Sequence, residues 1–138
     1  EDITDQEFVE KWVNNSFWGT PLYFRDTLQR WPERHAAVFS AVARAQPGGV
    51  LFHCIRGYDR TGIISLLLLG FAGVLPDEIV ADYELSADPV RDKVLARENT
   101  SVRESILGTL DSFDFDGYLR AGGATQADLD AVRARLLG

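Results

Sequence analysis

The sequence predicts an α/β fold in which a parallel central sheet is flanked by helices, and three observations favour it. First, the short apolar run Val50–Phe52 follows a glycine pair and is typical of a strand buried on both faces. Second, a polar loop comes directly after this run. Third, the leucine-rich segment Thr61–Ala72 has the composition of a buried helix. In parallel α/β folds, functional loops lie at the carboxyl ends of strands. We therefore expect a functional site at the end of a Val50–His53 strand.

Further helices are predicted from proline starts and from apolar residues at helical spacing. They comprise an amphipathic segment within Glu1–Asn15, a helix from Pro32 to Ala45, one starting at Pro76, one or two within Val90–Leu110, and a last helix over Gln126–Leu137. Thr125 is the expected N-cap of the last helix, and Phe113–Leu119 is expected to be an acidic, aromatic connection. A strand buried on both faces needs neighbours. We therefore expect a single domain over residues 1–138 whose remaining strands come either from an N-terminal part that this sequence lacks or from short strands within it.

Composition argues against several classes of function. The formal net charge of −7 disfavours a nucleic-acid partner held by bulk charge. A single cysteine excludes an internal disulfide and a cysteine-based zinc site, and we expect neither a metal nor a cofactor. The longest apolar run, Ile63–Ala72, is too short for a transmembrane segment. The sequence contains no methionine, so a removed signal peptide would leave no trace, and the location stays open between cytoplasmic and secreted.

The polar loop reads FHCIRGYDRTG from Phe52 to Gly62 and holds the only cysteine. In a loop between a strand and a helix, successive backbone N–H groups converge on one point, and the helix N-terminus adds its positive dipole. Arg60 ends the loop, where its planar guanidinium can bind two oxygens of a phosphate. The same groups would hold Cys54 as a thiolate, the nucleophilic form. The pattern predicts a site for phosphate or another oxyanion and a cysteinyl-phosphate intermediate.

The loop has the C-x5-R signature and resembles the active-site loop of cysteine-dependent phosphatases, the protein tyrosine phosphatase superfamily. Its "HC" and "DRTG" ends, together with the later stretches "DEIVADYELS" and "GYLRAGGATQADLDAVRARLL", are similar to bacterial tyrosine phosphatases with an HCxxGKDRTG-type loop. The resemblance extends from Gln29 to the end of the chain. It implies a substrate that is a phosphorylated protein carrying phosphotyrosine, with phosphoserine, phosphothreonine or phosphoinositides as further substrates in some members.

The resemblance also implies a role for each residue of the loop. Cys54 is the expected nucleophile, and Arg60 the residue that binds the phosphate and stabilises the transition state. The Thr61 hydroxyl is expected to stabilise the departing thiolate, and Asp59 to protonate the leaving oxygen. His53 is expected to order the loop and tune the thiolate. The other expected substrate-binding positions are Ile55, Arg56, Gly57, Tyr58 and Gly62.

Two positions depart from the family pattern, because Tyr58 stands where relatives have lysine and Arg56 where they have a small residue. The lost lysine removes a positive charge beside the phosphate, which Arg56 could restore. The Tyr58 ring could instead shape the pocket mouth for a ring substrate. Two interpretations stay open: an active phosphatase, or a catalytically weak relative that binds phosphorylated ligands. Sulfur-transfer or arsenate chemistry is disfavoured by the DRTG ending and by the lack of a second cysteine.

Outside the loop, the remaining conspicuous side chains are given structural roles. Trp12, Trp18 and Trp31 are expected to pack in the core or between elements, and the alternative for the Trp18–Tyr23 loop is a role as a substrate lid. His35 is expected at the surface or the core edge with no partner. Asp82 and Tyr83 are expected to pack and form hydrogen bonds behind the loop.

Overall fold

The computed structural model describes residues 4–86 and 88–138, and these ranges consist of helices joined by loops. Near the N-terminus, a short helix α1 (Gln6–Phe8) continues into a π-helix (Val9–Val13), and a 3-10 turn (Pro21–Tyr23) leads into α2 (Phe24–Arg30). The remaining helices are α3 (Pro32–Arg44), α4 (Arg60–Phe71), α5 (Pro76–Glu84), α6 (Pro89–Arg97), α7 (Val102–Leu110), α8 (Phe115–Ala121) and α9 (Gln126–Leu137).

Local sequence signals determine most of these helix starts. Helices α3, α5 and α6 each begin with proline, whose missing N–H needs no partner in the first turn. The Thr125 side chain accepts a hydrogen bond from the Asp128 N–H at 3.1 Å, which confirms the predicted N-cap of α9. The expected connection at Phe113–Leu119 is wrong, because Asp114 accepts a hydrogen bond from the Gly117 N–H and caps the start of α8.

The predicted parallel sheet is wrong, since no strand occurs in residues 4–86 or 88–138. The segment expected to be a buried strand, Val50–His53, has no regular secondary structure, and Val50 is 37% and Leu51 90% exposed. A strand is held in place by backbone hydrogen bonds to its neighbours, and none of the described segments pairs with this one. The apolar composition of the run therefore does not reflect burial within a sheet.

Helix α4 is the buried element that follows the polar loop. Ile63, Leu66 and Leu67 are at most 2% exposed, and apolar residues surround most of the helix axis. A helix that is apolar on nearly all sides is stable only when other elements cover it. α5 and α8 pack against α4, while α3 packs against α8 and α9. The loop before α4 is thus attached to the most buried part of the described chain.

The close approach of α8 to α3 depends on Gly122. A methyl group on Gly122 would lie 2.4 Å from the Pro32 carbonyl oxygen, whereas one on Gly108 in α7 would meet no atom within 4 Å. We expect Gly122→Ala to lower the free energy of unfolding by about 1–3 kcal/mol, the usual effect of overpacking. The control Gly108→Ala should raise it by about 0.5–1 kcal/mol, because alanine loses less backbone entropy than glycine. Urea unfolding measures both, and equal effects would contradict this helix contact.

Candidate active site

The polar loop curves tightly between the extended segment and α4. Gly57 has a φ of +80°, a conformation that costs glycine little and other residues much more. Asp59 is the last residue before the helix, and its carbonyl accepts the Ile63 N–H at 2.8 Å. The Asp59 side chain does not cap α4, so the first N–H groups of the helix remain directed toward the loop. This geometry creates a concave row of N–H groups in front of the helix.

The Cys54 sulfur lies within this row of donors. The Gly57 N–H donates to Sγ at 3.2 Å. Burial by itself raises the pKa of the Cys54 thiol, but the nearby Thr61 hydroxyl and hydrogen bonds from the backbone N–H groups of Thr61, Gly57 and Arg56 outweigh it. The pKa of Cys54 is therefore lowered to about 7. At neutral pH a large fraction of this side chain is the nucleophilic thiolate.

The Thr61 hydroxyl is fully buried in the first turn of α4 and forms no hydrogen bond of standard geometry with a described residue. It is nevertheless near enough to the Cys54 sulfur to favour the thiolate. A buried hydroxyl without a close partner costs free energy, so its position has a reason other than packing. We expect this hydroxyl to stabilise the negative charge on Cys54.

We expect the rate of Cys54 alkylation by iodoacetamide to rise with pH around a midpoint of about 7. Below the midpoint the unreactive thiol predominates, and above it the thiolate does. In urea the midpoint should return to about 8.5, the value of a free cysteine, because unfolding removes the donors. Thr61→Val keeps the side-chain shape without the hydroxyl and should move the midpoint upward. A midpoint near 8.5 in the folded protein would contradict the proposed hydrogen bonds.

A cavity of about 330 Å³ opens beside Cys54. It is lined by Trp18, Gly19, Cys54, Ile55, Arg56, Tyr58, Asp59 and Arg60. The structure thus brings Cys54, Arg56, Asp59 and Arg60 together around a single opening. Its volume falls at the lower end of the range for small-molecule sites, and it exceeds what a phosphate group alone needs.

Three of the expected substrate-binding residues, His53, Gly57 and Gly62, are not among the residues that line this cavity. His53 is exposed, and its Nδ1 lies 3.1 Å from the Cys54 carbonyl oxygen, so it contacts the start of the loop. Gly62 lies in the first turns of α4, where a methyl group would approach the Tyr83 ring to 2.8 Å. Gly62 therefore allows α5 to pack closely behind the loop.

Tyr83 connects this packing to the carboxyl group of the site. The side chain is 5% exposed, and its ring packs edge-on against Phe24 at 5.6 Å, as expected for a residue behind the loop. The same expectation for Asp82 is wrong, because that residue is exposed. Burial and then the negative charge of Asp59 raise the pKa of Tyr83 above its usual range, while Arg91 opposes this. Asp59 thus lies at the junction of the open cavity and the buried face of α5.

Two side chains around the loop differ from the preferred sequence-based expectation. Trp18, expected to pack, is 47% exposed and lines the cavity, although Trp31 is buried as predicted. His35, expected to have no partner, is buried, and its Nδ1 lies 2.8 Å from the Tyr118 hydroxyl. The position of Trp18 beside a glycine in a polar loop was the available signal, because loops often carry binding residues.

Across the described ranges, no group of three or more His, Cys, Asp or Glu side chains could hold a metal ion. None of the helices described has the length and apolar character needed to cross a bilayer.

Comparison with known proteins identifies the class to which this loop and helical framework belong. The model of the tyrosine phosphatase family matches residues 17–138. The chain therefore belongs to the tyrosine phosphatase family, which confirms the resemblance seen in the loop. No solved structure shows a significant match.

Two curated relatives agree with this assignment. A tyrosine-protein phosphatase of Nostoc commune is 33% identical over 125 residues, covering 72% of this chain and 42% of the relative. The triple specificity protein phosphatase PtpB of Mycobacterium tuberculosis is 31% identical over 154 residues, covering 84% of this chain and 55% of the relative. The chain thus spans about half the length of the curated relatives it matches.

Proposed function

We propose that this chain carries the catalytic site of a protein tyrosine phosphatase that hydrolyses phosphomonoesters through a cysteinyl-phosphate intermediate. The observation that carries this proposal is the hydrogen-bonded Cys54 sulfur, whose pKa of about 7 makes it a nucleophile at the edge of a cavity lined by arginines. A buried structural cysteine would have no need of these donors. Family membership supports a phosphorylated substrate.

In the first step, the Cys54 thiolate attacks phosphorus. A sulfur–phosphorus bond forms while the bond from phosphorus to the leaving oxygen breaks, and Asp59 transfers its proton to that oxygen. Arg60 and the N–H groups of the loop stabilise the charge on the phosphoryl oxygens, since they are already oriented before the reaction.

In the second step, water attacks the cysteinyl phosphate. Asp59, now a carboxylate, accepts a proton from that water, and the sulfur–phosphorus bond breaks to release phosphate. The departing electron pair returns to Cys54, where the Thr61 hydroxyl and the N–H groups of Gly57, Arg56 and Thr61 stabilise the thiolate. The cycle thus ends with the starting enzyme.

Arg56 bears on the difference between an active enzyme and a weak relative. Its side chain lines the cavity, and it forms no ion pair with any residue in the described ranges, so its charge is available to an anionic substrate. This supports the interpretation that Arg56 restores the positive charge that is lost where Tyr58 replaces lysine. The alternative, a phosphatase-like protein that binds phosphorylated ligands with little turnover, is favoured only by Tyr58 itself, which lines the cavity at the position of that lysine.

The proposed substrate is a protein carrying phosphotyrosine, with phosphoserine, phosphothreonine and phosphoinositides as further candidates. The Mycobacterium relative is named a triple specificity protein phosphatase, which supports testing more than one of these groups.

Hydrolysis of para-nitrophenyl phosphate by the full chain tests the proposal. We expect turnover that orthovanadate inhibits and EDTA leaves unchanged, because Cys54 and Arg60 supply the nucleophile and the positive charge from the protein itself. Loss of turnover in EDTA that a divalent cation restores would contradict the mechanism. Tight binding of orthophosphate without turnover would instead support the weak relative.

A further inference from the structure

Trp18 is the most exposed aromatic side chain among residues 4–86 and 88–138. It is 47% exposed, and it lines the cavity that Cys54 and Arg60 also line. Burying an aromatic ring of this size is strongly favourable, so a tryptophan left half in water beside an anion-binding loop is not explained by packing.

The loop around Trp18 is held firmly, so the ring is fixed at this place. The buried Thr20 donates from its hydroxyl to the Phe17 carbonyl at 2.7 Å and from its N–H to the same oxygen at 3.2 Å. The Phe17 N–H donates to the Trp12 carbonyl at 3.0 Å. One side of the Trp18 ring packs against the fully buried Tyr23, with the ring centroids 5.6 Å apart.

We propose that Trp18 is a specificity-determining residue whose ring contacts the aryl group of the substrate and makes the site prefer aryl over alkyl phosphomonoesters. This inference rests on the proposed phosphatase function. The polar groups for the phosphate come from Cys54–Arg60, whereas Trp18 belongs to a separate segment and adds a large aromatic side chain to the lining. Aromatic rings bind one another more strongly than they bind alkyl groups of similar length, because face and edge carry opposite partial charges.

The cavity has the dimensions and composition that this arrangement needs. Its volume of about 330 Å³ leaves room beyond a phosphate group for the carbon skeleton attached to it. Tyr58 supplies a second ring to the lining, so an aryl group that leaves the phosphate site meets aromatic surface from two segments of the chain. An alkyl phosphate would bind the same arginines and gain less from these rings.

The test compares aryl and alkyl ligands in matched variants of the full chain. Trp18→Leu keeps an apolar side chain without the ring, and Trp18→Phe keeps a ring. Leu85→Ala, which truncates an 84% exposed side chain directly after α5, serves as the control for surface effects. We expect Trp18→Leu to lower kcat/KM for phosphotyrosine about tenfold and to change that for phosphoserine less than about twofold, because only the first substrate loses an aromatic contact. Trp18→Phe should restore most of the preference, and Leu85→Ala should leave both values unchanged.

A binding measurement separates this inference from the proposed reaction. Calorimetry with phenylphosphonate and methylphosphonate reports the preference whether or not the chain turns substrate over. A preference for phenylphosphonate that disappears in Trp18→Leu supports the role of Trp18 even if hydrolysis fails. If the ratio of the two dissociation constants is unchanged in Trp18→Leu, including the case in which both ligands lose affinity equally, the inference is overturned.

Discussion

Cys54→Ser is expected to abolish turnover, with kcat for para-nitrophenyl phosphate falling by more than about 10⁴-fold because the covalent route loses its nucleophile. Serine has nearly the same size as cysteine, so the loop should keep its shape. A serine hydroxyl, however, remains protonated at neutral pH even with the donors of Gly57 and Thr61 around it. The measurement is the steady-state rate at a pH near 7, where the Cys54 thiolate is abundant.

The control for Cys54→Ser is binding. Arg60 and the backbone N–H groups remain in the variant, so it should still bind orthophosphate with an affinity close to that of the unaltered protein. If the variant keeps measurable turnover after repurification, the nucleophile is another group and the proposed mechanism is wrong. Ser65→Ala, a similar small change on α4 outside the cavity lining, should leave the rate unchanged.

The helical part of the fold follows largely from local signals. Proline at the first position, Thr125 as an N-cap and the apolar content of Thr61–Ala72 are each properties of a few neighbouring residues, and each gave a helix close to the observed bounds. The apolar run Val50–Phe52 could not show whether a strand forms there, because strand formation depends on partners that lie elsewhere in a chain. The helix at Phe115–Ala121 was missed because its capping residue, Asp114, stands in an acidic stretch typical of loops.

The candidate site also has one part that local sequence predicts and another that depends on residues distant along the chain. The groups around the Cys54 sulfur lie within eight residues of one another along the chain, so the loop motif alone predicts their proximity. Trp18 is far from Cys54 in sequence, and the two reach one cavity only through the packing of Tyr23 and its neighbours. No periodicity or motif encodes that contact. The same holds for the hydrogen bond between His35 and Tyr118, which joins α3 to α8.

Asp59→Asn should separate acid–base catalysis from loop structure. If Asp59 protonates the leaving oxygen, the variant should lose roughly a hundredfold or more in kcat on phenyl phosphate, whose leaving group is a poor one. The loss should be much smaller on para-nitrophenyl phosphate, because para-nitrophenolate is stable as an anion and needs less help from a proton. The informative quantity is therefore the slope of log kcat against the pKa of the leaving group, which should become steeper in the variant.

Two controls make the result for Asp59 specific. Asp82→Asn is the same change on an exposed residue of α5 outside the cavity lining, and it should leave the slope unaltered. The midpoint of Cys54 alkylation should stay the same or fall in Asp59→Asn, because the variant removes a negative charge from the loop and so favours the thiolate. A uniform loss across all leaving groups, together with a raised midpoint, would mean that Asp59 holds the loop in shape. The proton for the leaving oxygen would then come from a different group.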